Sequence, residues 1–142
     1  MNWRKEAVND LKNHQYRKEG LDNLEERIRL LDAQLTSLRG ISVSEPVAGG
    51  VSKQEEAWIN NISERERLEF SLKITKRLVD IVERGLASLD KREREVLEGL
   101  YVHRLRVEVL CEKLNFEKSR IYEIKDIALK KFTLSVYGTL EI

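Results

Sequence analysis

Twenty residues, Val107 to Asp126, constrain this chain more than any other stretch. Apolar side chains recur at steps of three and four on both sides of a short break. Val107, Leu110, Cys111 and Leu114 precede it, and Ile121, Ile124, Ala128, Leu129 and Phe132 follow it. That period lines one face of a helix, so the stretch reads as helix, tight turn, helix. The break is Leu114-Asn115-Phe116, and asparagine is one of the few non-glycine residues that tolerate the left-handed conformation such a turn needs. Cys111 supplies the small side chain required where two helices cross closely. This is the pattern of a helix-turn-helix, whose second helix can lie in a major groove.

The chain ahead of this motif is also helical in pattern. Residues 2 to 39 predict one helical segment with an interruption at Gly20. Its later part carries Leu21, Leu24, Ile28, Leu31, Leu35 and Leu38 in alternating threes and fours, the seam of a coiled coil. Gly40 is placed to cap it. Residues 40 to 54 hold the only proline and three of the seven glycines, and read as a loop. A second long helix is predicted from about Lys53 to Leu86. Its seam is Leu68, Leu72, Thr75, Val79, Val82 and Leu86, widened by Trp58, Ile59, Ile62, Ile74, Leu78 and Ile81. So wide a stripe is expected to cover more than one neighbour. The two helices make either a hairpin within one chain or a pairing between two chains.

Asp90 followed by Glu93 predicts a reciprocal capping pair. It opens a helix that ends near His103, followed by helices from about Arg106 to Leu114 and Glu117 to Leu134. The tail from Ser135 has no assigned element. The expected fold is therefore all-α. A long helical hairpin or coiled coil occupies residues 1–86, and a small helix-turn-helix domain occupies residues 87–142.

Charge bears on function only through its placement. The net charge is +1, which is neutral on the question of nucleic acid. Between Lys118 and Lys131, however, five basic residues (Lys118, Arg120, Lys125, Lys130, Lys131) stand against two acidic ones (Glu123, Asp126). A local basic face is what phosphate binding requires. The candidate DNA-binding residues are Lys118, Ser119, Arg120, Tyr122, Glu123, Lys125, Asp126 and Lys130. Lys and Arg grip phosphate or donate to guanine, Ser119 and Tyr122 donate to phosphate or a base edge, and Glu123 accepts from cytosine.

Other chemistries find little support. A single cysteine, Cys111, excludes an internal disulfide framework and a cysteine-based zinc cluster, and its place on an apolar face makes it a packing residue. His14 and His103 stand alone and read as surface or edge histidines, so neither metal nor cofactor is expected. No nucleophile–base pairing points to an enzyme. The apolar runs are too short to span a bilayer and no signal peptide is visible, so a cytoplasmic protein is expected.

A family resemblance rests on three pieces: Leu89-Asp-Lys-Arg-Glu-Arg-Glu-Val-Leu97, the turn Leu114-Asn-Phe116, and Ser119-Arg-Ile-Tyr-Glu-Ile124 followed by Ala128-Leu-Lys-Lys-Phe132. Residues 86–132 resemble the promoter-reading region 4 of bacterial sigma factors. There the matching stretches run L-x-x-R-E-R-x-V-L and S-R-x-R-x-R-Q-I-E-x-x-A-L-x-K-L. With its helical front half and its loop, the whole chain resembles the RinA/ArpU-like late-gene regulators of Gram-positive phages. The resemblance implies a sigma-like activator that binds double-stranded DNA in the bacterial host cell and touches host RNA polymerase. A homodimer through the N-terminal helices would present two reading heads. The departures matter: Tyr122-Glu123 replaces the Arg-Gln pair of the sigma reading helix, and Glu117 replaces its Ser/Thr cap. The alternative reading is a coiled-coil interaction module that binds polymerase or another regulator, with weak DNA affinity.

Overall fold

The computed structural model describes residues 2–39 and 53–140, with side chains described for 2–37 and 53–140. The loop and the Gly40 cap expected within residues 40–54 fall outside the described residues, save Lys53 and Gln54, which already belong to a helix. Every regular element among the described residues is helical: α1 (Trp3–Arg39), α2 (Lys53–Ala87), α3 (Lys91–Leu97), a π-helical turn (Glu98–Val102), α4 (Val107–Leu114) and α5 (Lys118–Tyr137). The fold is all-α, and α1 and α2 pair within each of the two units described below.

Local chemistry explains most of these boundaries. Asn2 starts α1, its Oδ1 accepting from the backbone N–H of Arg4 at 3.0 Å and of Lys5 at 3.3 Å. Asp90 starts α3 in the same way, accepting from Glu93 N–H at 2.9 Å. The reciprocal half of the expected capping pair is not made. Glu93 instead turns its carboxylate to Lys131 on α5, at 2.9 Å. The predicted break at Gly20 is also absent, since α1 passes through it without interruption. A mid-helix glycine costs only about 1 kcal/mol against alanine, too little to break a helix that carries an apolar seam.

The chain divides into two compact units, one of residues 1–18 with 77–142 and the other of residues 19–76. This differs from the expected division after residue 86. The first unit holds the helix-turn-helix, and its core explains the difference. Ala7 and Leu11 from α1 and Val82 and Leu86 from α2 are buried in one cluster with Leu89, Leu97, Ala128, Leu129 and Phe132. A second cluster joins Val96 of α3, Leu110 of α4, and Ile121 and Ile124 of α5, with Cys111, Leu114 and Phe116 packed against it. Polar links fasten the start of α1 to the rest of the unit. Trp3 stacks on Tyr137 at 4.8 Å between ring centroids, the Tyr137 hydroxyl donates to Asp10, and His14 Nε2 lies 2.9 Å from Glu83 Oε1. His14 is therefore not a surface histidine but 3% exposed. In the same unit α5 runs three residues beyond its expected end at Leu134, because Phe132, Thr133 and the half-buried Val136 and Tyr137 extend its inner face.

In the second unit the two helices meet along the predicted seam. Ile28 and Leu68 are buried, and Leu21, Leu24, Leu31, Leu35 and Leu72 are half-buried. Arg65 pairs with Asp32, Arg27 Nη2 lies 3.4 Å from Glu64 Oε1, and Asn61 donates to Gln34 at 3.4 Å. The wider stripe on α2 is largely uncovered. Trp58, Ile59, Ile74 and Leu78 are exposed, and so, outside that stripe, is Phe70 at 66%. Trp58 still borders a shallow cleft with Asp32, Leu35 and Thr36 of α1.

Candidate nucleic-acid interface

The helix-turn-helix is built from α4, the turn at Asn115 and α5. Asn115 stands at φ 58°, ψ 41°, the left-handed region, and its N–H bonds the Cys111 carbonyl. The Phe116 N–H reaches the same carbonyl at 3.2 Å, so the turn closes without a glycine. Leu114 and Phe116 on either side pack into the second core cluster and fix the angle at which α5 departs. α5 then buries Ile121, Ile124, Ala128, Leu129, Phe132 and Thr133. Both packing and backbone fix which of its faces is left outward.

That outward face carries the sequence candidates. Lys118, Ser119, Arg120, Tyr122, Glu123, Asp126 and Lys130 are exposed, while Lys125 is half-buried. The structure adds their pairing. Lys118 Nζ lies 3.7 Å from Glu108 Oε1, Arg120 Nη1 3.0 Å from Glu123 Oε2, and Lys125 Nζ 3.3 Å from Asp126 Oδ1. Lys125 Nζ also stands 5.3 Å from the centroid of the Tyr122 ring. The basic excess is thus partly neutralised on the helix itself. Exposed pairs of this kind are worth only about 0.2–1 kcal/mol, so a phosphate can replace the acid at small cost.

Two cations change status relative to the sequence reading. Lys131, counted among the basic face, is committed to the buried Glu93 and serves the fold. Arg92 stands between Asp90 and Glu93 in sequence, where no role is expected of it. It places its guanidinium 5.5 Å from the centroid of the Phe116 ring, beside the turn that leads into α5, and forms no ion pair among the described residues. No spacing rule points to Arg92, because its neighbour comes from a turn 24 residues later.

The start of α5 is open. Glu117 occupies the cap position but makes no side-chain cap bond, so the N–H groups of the first turn are not claimed by a side chain. Such groups, with the positive end of the helix dipole, favour an anion. Among the described residues no group of three or more His, Cys, Asp or Glu could hold a metal ion, and no helix is long and apolar enough to cross a membrane. His103 is exposed, and Cys111 is half-buried against the second core cluster. Comparison of the chain with protein-family models, curated proteins and solved structures finds no match in any of the three.

Proposed function

We propose that this chain is a sequence-specific DNA-binding transcriptional regulator, of the sigma-like kind that activates phage late genes, with α5 as its reading helix. The observation that carries the reading is the left-handed Asn115 turn joined to an α5 that buries one face and leaves the opposite one outward. The resemblance of residues 86–132 to sigma region 4 supports it. In this account Lys118, Arg120, Lys130 and Arg92 take phosphates, releasing counterions, while Ser119, Tyr122, Glu123 and Asp126 meet base edges. The protein works in the cytoplasm of a bacterial host and uses neither metal nor cofactor. The test is enrichment of sites from a random duplex library by the full chain. Recovery of a common sequence supports the reading, and recovery of unselected DNA or none rejects it.

A second reading makes residues 19–76 an arm that binds RNA polymerase, another regulator or a second copy of the chain. The exposed Ile59, Phe70 and Ile74 favour it. Sedimentation of wild type against Phe70→Ser, alone and with host polymerase, separates these partners.

A further inference from the structure

We propose that Tyr122 reads a thymine in the major groove, with its ring against the 5-methyl group and its phenol donating to O4. This rests on the DNA-reading role of α5 given above. Three cations in the first turns of α5 each already meet an acid: Lys118 meets Glu108, Arg120 meets Glu123 and Lys125 meets Asp126. Glu123 is held in turn by Arg120 at 3.0 Å. Of the outward residues in the first two turns, Ser119 and Tyr122 remain outside these pairs. Tyr122 is the one with length and apolar area, and it is 40% exposed.

Its ring is also held in place. The Lys125 ammonium stands 5.3 Å from its centroid, and Lys125 is steadied by Asp126 at 3.3 Å. A cation over the ring attracts its electron-rich face, which leaves the edge and the hydroxyl as the groups on offer. In the major groove guanine offers two acceptors and suits Arg or Lys. Cytosine offers a donor and suits a carboxylate, and adenine offers a donor beside an acceptor and suits an amide. Thymine alone sets an apolar methyl beside an acceptor, which matches an aromatic edge ending in a hydroxyl.

The experiment begins with the site enriched by the full chain. Each thymine in it is replaced singly by deoxyuridine, which keeps O4 and lacks the methyl group. Binding is measured for wild type, Tyr122→Phe and Tyr122→Ala, with helicity checked by circular dichroism. The expected result is one position at which uracil weakens wild type about fourfold, the worth of one methyl group taken out of water. Tyr122→Phe keeps that sensitivity and Tyr122→Ala loses it. Indifference of wild type to uracil at every position, an enriched site without thymine, or sensitivity retained by Tyr122→Ala overturns the thymine contact and leaves DNA reading standing. A chain that enriches no sequence removes the reading role of α5 and this contact with it.

Discussion

Lys131 Nζ lies 2.9 Å from Oε1 of Glu93, an ion pair between α5 and α3 in which the carboxylate side chain is only 7% exposed. Among the described residues the other oxygen, Oε2, is buried without a hydrogen-bond partner, so the lysine is the main compensation for a desolvated carboxylate. Lys131→Met is expected to destabilise the protein by about 1–3 kcal/mol. Adding Glu93→Gln to it should restore part of the loss, because the unpaired charge goes too. Urea unfolding of the two single variants and the double variant measures the coupling. Strict additivity would show that the pair contributes nothing.

The start of α1 belongs to the unit that holds the helix-turn-helix. Leu11 and Phe132 are both fully buried in its core. Leu11→Ala is expected to cost about 2–5 kcal/mol, and the loss should appear in the unfolding of the helix-turn-helix. Hydrogen exchange of α5 amides reads this directly. Unchanged protection of α5 in Leu11→Ala would mean that the first helix is dispensable to the helix-turn-helix.

Two glycines should respond in opposite directions to alanine. A Cβ on Gly99, in the π-helical turn, would stand 2.5 Å from Leu110 Cδ2, whereas one on Gly20 meets nothing within 4 Å. Gly99→Ala forces the buried Leu110 to move and should destabilise by about 1–3 kcal/mol. Gly20→Ala, in mid-helix, should stabilise by about 0.5–1 kcal/mol. Thermal melts of both variants decide the matter, and shifts of the same sign contradict it.

Stability should fall at both ends of the pH scale for identifiable reasons. The Asp90 carboxyl is held below its ordinary 3.8, chiefly by the Glu93 backbone N–H. For Glu83 burial pushes upward, but the bond from His14 and the charge of Lys18 outweigh it and hold the group below 4.5. Both are better ionised when folded, so their contribution is complete above those ordinary values and lost as pH falls through the lower folded ones. Tyr137 behaves in the opposite sense. Burial first, then its bond to Asp10, raises it above 10.0, so its contribution is intact below pH 10 and lost as pH rises beyond it. Tyr137→Phe should flatten the alkaline limb in melts taken from pH 8 to 11. An equally steep limb in that variant would assign the loss elsewhere, for example to Tyr101, which burial also raises.

Periodicity made the helices legible from sequence, because the spacing of Leu21 to Leu35 and of Leu68 to Leu86 records which side faces the partner. The helix-turn-helix was legible for the same reason, with Asn115 marking the turn. What periodicity could not reveal were contacts between residues distant in the chain. Leu11 in one cluster with Phe132, His14 beside Glu83, Lys131 on Glu93 and Arg92 over Phe116 all depend on how α1 and α3 lie against α2, α5 and the turn before it. Local rules misplaced the Glu93 side chain, though not its backbone N–H, because an i,i+3 spacing is visible in sequence and a lysine 38 residues away is not. The candidate residues on α5, Glu123 and Asp126 among them, were found by period and charge, but the pairing of Lys118 with Glu108 of α4 was not.

The proposed reading of DNA sequence by α5 is open to direct measurement. Its most direct test is the affinity of the full chain for its enriched duplex and for a scrambled one, in wild type and in Lys118→Ala/Arg120→Ala. Wild type should prefer the enriched duplex by roughly 10³-fold or more. The double variant should bind both more weakly, with a shallower dependence on salt. Equal binding of the two duplexes by wild type, with affinity unchanged in the double variant, would contradict the account.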